Sequence, residues 1–154
     1  MLNTQQKIKF SEHAVLYDIL IPKDNKYRLI DELIDFSFIY DELKDRYCPD
    51  NGRTAADPIM LFKYLMIKVI ENLSDVDVVE HSRYDLSYKR FLGLMPEEDV
   101  IDPSLLTKFR RQRLKDVNLL DMLIGKTVGV ALEKGIIKTK TIIVDATHTI
   151  SRAN

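Results

Sequence analysis

Cysteine is nearly missing from this chain of 154 residues: Cys48 stands alone. One thiol cannot form an internal disulfide, nor by itself a cysteine-based zinc site, so neither staple is expected in the fold. Nothing beside Cys48 would depress its pKa, so it reads as a small packed side chain rather than a nucleophile. Glycine and proline are scarce too, at five each. That leaves little room for low-complexity linkers, and no internal repeat is visible. Long apolar runs are also lacking. The most apolar segment, 59–73, is interrupted by Lys63 and Lys68 and falls short of the roughly 20 residues that span a bilayer. The first ten residues are polar and carry Lys7 and Lys9. No signal peptide is therefore expected, and a cytoplasmic protein without membrane attachment is the simplest reading.

What is present suits one helical domain with part of another. The chain is 45% hydrophobic and 31% charged, enough to bury a core and stay soluble. Its net charge of −1 hides an asymmetry. Residues 1–102 carry 13 Lys and Arg against 20 Asp and Glu, whereas residues 103–154 carry 10 against 4. Acidic first and basic second is a hint of a nucleic-acid surface, although ordinary proteins show it as well.

Residues 11–23 are ambiguous and end at Pro22. Asp24 or Asn25 can then cap a helix with Leu29, Ile30, Leu33 and Ile34 on its inner face, and Ser37 can restart it. Cys48-Pro49-Asp50-Asn51-Gly52 is a strong breaker. Asp57-Pro58 reads as a cap followed by proline at the first helical position. Of the 15 residues from Ile59 to Leu73, 11 are apolar or Tyr, so this helix is expected at the centre of a bundle. Ser74 and Asp75 open a short helix and Asp85 the next, which Gly93 ends. Met95 to Asp99 is an acidic loop. A basic helix starts at Asp102-Pro103-Ser104, and a longer one runs from about Val117 to Lys134. Gly125 and Gly129 lie inside that last helix, each costing about 1 kcal/mol relative to Ala. Another helix packing closely there would account for them.

The basic helix carries Lys108, Arg110, Arg111, Arg113 and Lys115. With Leu105, Leu106 and Phe109 turned inward, Lys108, Arg111 and Lys115 share roughly one outward side. Arg and Lys so placed can neutralise DNA phosphates and reach guanine edges in a major groove. A solvated charged face is the plainer alternative. The short helices before it, about 75–83 and 86–92, complete a helix-turn-helix-like array with Tyr84, Lys89 and Arg90 near the join. Arg53, after the Asn-Gly turn, is a further phosphate candidate. His13 and His81 have no ligand partners nearby in sequence and receive no role.

Near the C-terminus, Thr141-Ile142-Ile143-Val144 runs into Asp145. Such a short apolar run reads as a strand buried on both faces, with the carboxylate at the rim of the sheet. Asp145 is then either a turn residue or a metal ligand. A divalent ion needs at least one more carboxylate, and His148 does not supply it.

These pieces together resemble the N-terminal part of DDE transposases of bacterial insertion sequences, from about residue 25 onward. Four blocks in the family's order carry the resemblance. They are Asn51-Gly52-Arg53-Thr54-Ala55-Ala56-Asp57-Pro58; Leu73-Ser74-Asp75 through Tyr84-Asp85-Leu86 to Leu94; Asp102-Pro103-Ser104 to Phe109-Arg110-Arg111; and Ile142-Ile143-Val144-Asp145-Ala146-Thr147. Asp102-Pro103-Ser104-Leu105 departs mildly from a His-Ser-Thr-like run common in relatives. The resemblance implies an RNase H-like catalytic domain whose first strand ends at Asp145, the first acid of the triad. It also implies Mg2+ as cofactor, held in part by Asp145. No residue here matches the second Asp or the Glu, so this chain alone is expected to be inactive and to hold no ion stably.

The expected fold is therefore mainly α: a helical, DNA-binding bundle over 1–138 with a helix-turn-helix-like segment, then the first strand of a truncated RNase H-like domain over 139–154. The expected DNA-binding residues are Arg53, Lys89, Arg90, Lys108, Arg110, Arg111 and Lys115, and the expected partner is the DNA of the element's terminal repeats. The alternative is a non-catalytic regulator that binds those ends, or that pairs with a second copy or with full-length transposase. A helical scaffold with no DNA role is a third, weaker reading.

Overall fold

Four of the helices start where the sequence supplies a side-chain cap. Asn25 accepts from the amides of Tyr27 and Arg28, Asp57 from Ile59, Ser74 from Asp77, and Asp85 from Ser87 and Tyr88. Each such cap satisfies amides that have no partner within the helix, worth about 1 kcal/mol. The structure, a computed structural model, describes residues 9–47, 55–115 and 117–137, without the side chains of 117–119. Eight α-helices and no strand occur among the described residues. They are α1 (Val15–Leu20), α2 (Lys26–Leu33), α3 (Ser37–Leu43), α4 (Pro58–Glu71), α5 (Asp75–Tyr84), α6 (Leu86–Leu92), α7 (Ser104–Gln112) and α8 (Val117–Glu133). Short 3-10 turns at Glu12–Ala14 and Lys44–Arg46 extend α1 and α3.

Helix α4 is the centre of the bundle, as its composition requires. Leu61, Phe62, Tyr64, Leu65, Met66 and Ile67 are all buried, and the helix meets α3, α5, α6 and α7. Asn72 closes it in the left-handed conformation at φ 55°. Helix α6 forms a second layer, with α4 on one side and α1 and α2 on the other. An aromatic cluster fills that junction. Tyr27 sits edge-on to Tyr88 with ring centroids 5.2 Å apart, and Phe91 meets both Tyr27 and Phe36. The Tyr27 hydroxyl donates to Glu71 at 2.6 Å, so burial first and this carboxylate second push its pKa well above the usual range.

Three expectations shift. Within residues 11–23, Glu12 to Leu20 are helical, anchored by Tyr17, whose hydroxyl donates to the Leu94 carbonyl. The inner face of α2 is Tyr27 and Ile30, with Leu33 48% exposed, because the aromatic partner on α6 recruits Tyr27. Arg28, beside Tyr27, is buried: it caps the end of α1 through the Ile21 carbonyl at 3.0 Å and reaches Asp18 at 3.1 Å. Gly125 and Gly129 are not close-packing positions, since a Cβ at either would meet nothing within 4 Å. Helix α8 joins the core through Leu123, Ile124, Val128 and Ala131. Those side chains lie on another side of the helix from the two glycines. Gly135, at φ 72°, follows the end of α8 in the left-handed conformation that glycine adopts most readily.

Candidate nucleic-acid interface

The basic helix α7 is positioned by its apolar side. Leu106 and Phe109 are buried, and the helix packs on α4 and α5. Asp102 accepts from the Ser104 amide at 2.8 Å and fixes the first turn. At the other end, the amides of both Arg113 and Leu114 point to the Phe109 carbonyl.

One acidic side chain locks the rotation of α7. Asp75, at the start of α5, accepts from Arg110 through both terminal nitrogens, at 2.9 and 2.5 Å. Lys68 of α4 donates to the same carboxylate at 2.9 Å, and the Thr107 hydroxyl lies 3.3 Å away. Burial opposes ionisation of Asp75, but the hydrogen bonds and charges of Arg110 and Lys68 outweigh it and hold its pKa near about 2. The fork geometry of guanidinium on carboxylate is directional as well as strong. With Arg110 turned to α5, Lys108 and Arg111 are exposed on α7, and Lys115, expected on the same helix, is exposed three residues beyond its end at Gln112.

The other sequence candidates lie elsewhere. Lys89 is buried and donates to the carbonyls of Pro96 and Glu98, at 2.9 and 2.7 Å, so it ties the acidic loop to α6. Arg90 faces Asp31 and Glu32 of α2 at 3.6 and 3.7 Å. Tyr84 is 83% exposed at the α5–α6 join. That join is a single residue, Asp85, which ends α5 and caps α6. It is shorter than the three or four residues usual in a helix-turn-helix. Arg53 and Asp145, and with Asp145 the expected strand, lie outside the described residues. No group of three or more His, Cys, Asp or Glu among the described residues could hold a metal ion.

Sequence reasoning missed two features here. Asp75 carried no signal beyond its place at a helix start, because its partners come from 7 and 35 residues away. A cleft of about 800 Å3 also opens between the end of α1 and the α5–α6 corner, lined by Leu20, Pro22, Glu80, His81 and Tyr84 among others.

A family model described as Transposase domain (DUF772) matches residues 15–112, well over half of the chain. The chain belongs to that family. The transposase domain opens on the first residue of α1 and closes on the last residue of α7, so the basic helix is its final element and α8 follows it. No curated protein and no solved structure matches the chain. Membership ties the domain to transposition, a process carried out on DNA. No helix among the described residues is long and apolar enough to cross a membrane.

Proposed function

We propose that this chain is the DNA-binding N-terminal portion of a transposase, and that it recognises the terminal repeats of an insertion sequence through α7. The observation that carries this reading is the sorting of charge on α7. Arg110 is committed to Asp75, while Lys108, Arg111 and Lys115 are exposed. Those three form the contact surface, joined by Arg53, with α5 and α6 as the supporting pair of a helix-turn-helix-like array. Lys89 and Arg90 serve the bundle instead. Asp145 is the first carboxylate of a DDE triad in an RNase H-like domain that begins after residue 138. In that domain it would share in holding Mg2+, which activates the attacking oxygen and stabilises the leaving one. With one carboxylate of the three, the 154-residue chain binds DNA without cutting it.

Fluorescence anisotropy with a terminal-repeat duplex and a scrambled duplex tests this, run with a nicking assay in Mg2+. Tighter, salt-dependent binding to the terminal repeat with no cleavage supports the reading. Equal affinity for both duplexes removes end recognition, and cleavage that Asp145→Ala abolishes removes the inactivity. A regulator that pairs with full-length transposase is the second reading, favoured by the cleft beside Leu20 and Tyr84, which are 57% and 83% exposed.

A further inference from the structure

The end of α7 meets the 3-10 turn Lys44–Arg46 through an exchange of guanidinium groups. Arg46 donates to the Arg113 carbonyl at 3.1 Å, and Arg113 donates to the Arg46 carbonyl at 2.6 Å. The Arg113 guanidinium also stacks on the Tyr47 ring, 4.2 Å from its centroid. Tyr47 is itself buried, which pushes its hydroxyl pKa up, and the Arg113 charge opposes that shift. Each cation is thus held by the other residue's backbone carbonyl, and Arg113 also rests on a rigid aromatic base.

What they lack among the described residues is a counter-charge. Among the described residues no carboxylate lies within 4.0 Å of either guanidinium, although Lys44 has Asp41 and Arg110 has Asp75. Asp45 is adjacent in sequence and Asp57 influences Tyr47, yet neither pairs with them. Arg46 is exposed and Arg113 half-buried. A guanidinium has five N–H donors in a planar fork that suits a phosphate, and the carbonyl exchange uses one terminal nitrogen of each. Juxtaposed cations without an acid repel one another, and an anion between them removes that repulsion.

Resting on the DNA-binding reading above, we propose that Arg46 and Arg113 form a paired-arginine site for a DNA backbone phosphodiester. The site extends the interface past the end of α7, beside Lys115, and onto the segment that leads toward Arg53. It positions the duplex without reading sequence, as phosphate contacts do. The competing role is structural: each arginine caps the other's carbonyl at a helix end, as basic side chains often do.

The two roles separate because each clasp bond ends on a backbone carbonyl that survives side-chain substitution. In Arg46→Gln the Arg113 bond remains, and in Arg113→Gln the Arg46 bond remains. Anisotropy titrations of a labelled mixed-sequence duplex across a salt series are run on wild type, both single variants and the Arg46→Lys/Arg113→Lys double variant, each with a thermal melt. The expected result is a log–log salt slope shallower in each Gln variant, by at most about 0.9 for the one shared phosphate. The Lys pair keeps the wild-type slope with weaker binding, since charge remains and the fork is lost. A wild-type slope in both Gln variants, with only a lowered melting temperature, assigns the pair to capping and leaves the DNA reading standing. A wild-type chain with no salt-dependent binding overturns both.

Discussion

Asp75→Asn removes the charge that three neighbouring donors share while keeping the shape of the side chain. The size of the effect follows from the carboxyl itself. Its pKa falls from 3.8 to about 2 in the folded chain, and a shift of that size corresponds to about 2 kcal/mol of stabilisation. Because the folded pKa is depressed, that contribution is complete above pH 4. It is lost as pH falls from about 4 to about 2, where Asp75 becomes protonated in the folded state as well. Asp75→Asn is therefore expected to lower stability by about 2 kcal/mol at pH 7, which is roughly 4–8 °C in melting temperature for a chain of this size. Urea unfolding of both proteins at several pH values checks it. The informative quantity is the gap between them, since Asp35, Glu97 and Asp102 also have lowered pKa values and their effects are common to both proteins. The gap should close between pH 4 and pH 2. A gap below about 0.5 kcal/mol at pH 7, or one that persists to pH 2, would refute the assignment of Asp75 as the group that fixes α7.

Two further predictions concern residues whose roles changed between sequence and structure. Gly125→Ala and Gly129→Ala should each stabilise the chain by up to about 1 kcal/mol, because the added methyl meets open space in a helix interior; a drop in melting temperature would place a packing partner against α8. Lys89→Met should destabilise by about 2–3 kcal/mol in urea unfolding, since two carbonyls lose a charged donor. It should leave the salt slope of DNA binding unchanged, and a shallower slope would return Lys89 to the interface.

Local chemistry made most of the bundle legible in advance. The caps at Asn25, Asp57, Ser74 and Asp85 act within three residues, and the stop after Gly93, at φ 79°, is equally local. The centrality of α4 followed from its nearly continuous apolar surface. Charged residues were harder to place, because a cation's task depends on partners distant in sequence. Lys89 and Arg90 look like Lys108 and Arg111 in one dimension. Only the tertiary fold brings the Pro96 and Glu98 carbonyls to Lys89, or Asp31 and Glu32 to Arg90. Arg110 and Arg111 are neighbours with opposite assignments for the same reason: Asp75 reaches one and not the other. Arg46 gave no sign at all, since its partner lies 67 residues away. Asp145 rests on sequence resemblance, and Arg53 on its place after the Asn-Gly turn.

The account's central claim is that the exposed cations of α7, with Lys115 just beyond its end, bind DNA. The most direct test is the salt dependence of binding to a terminal-repeat duplex for wild type and for the chain carrying Lys108→Ala, Arg111→Ala and Lys115→Ala together. The substitutions fall on exposed positions, so the thermal melt should be little changed. The log–log slope is expected to become shallower by roughly 2.7, about 0.9 for each phosphate contact removed. A slope identical to wild type in a folded triple variant would contradict the claim and place the DNA surface elsewhere on the bundle.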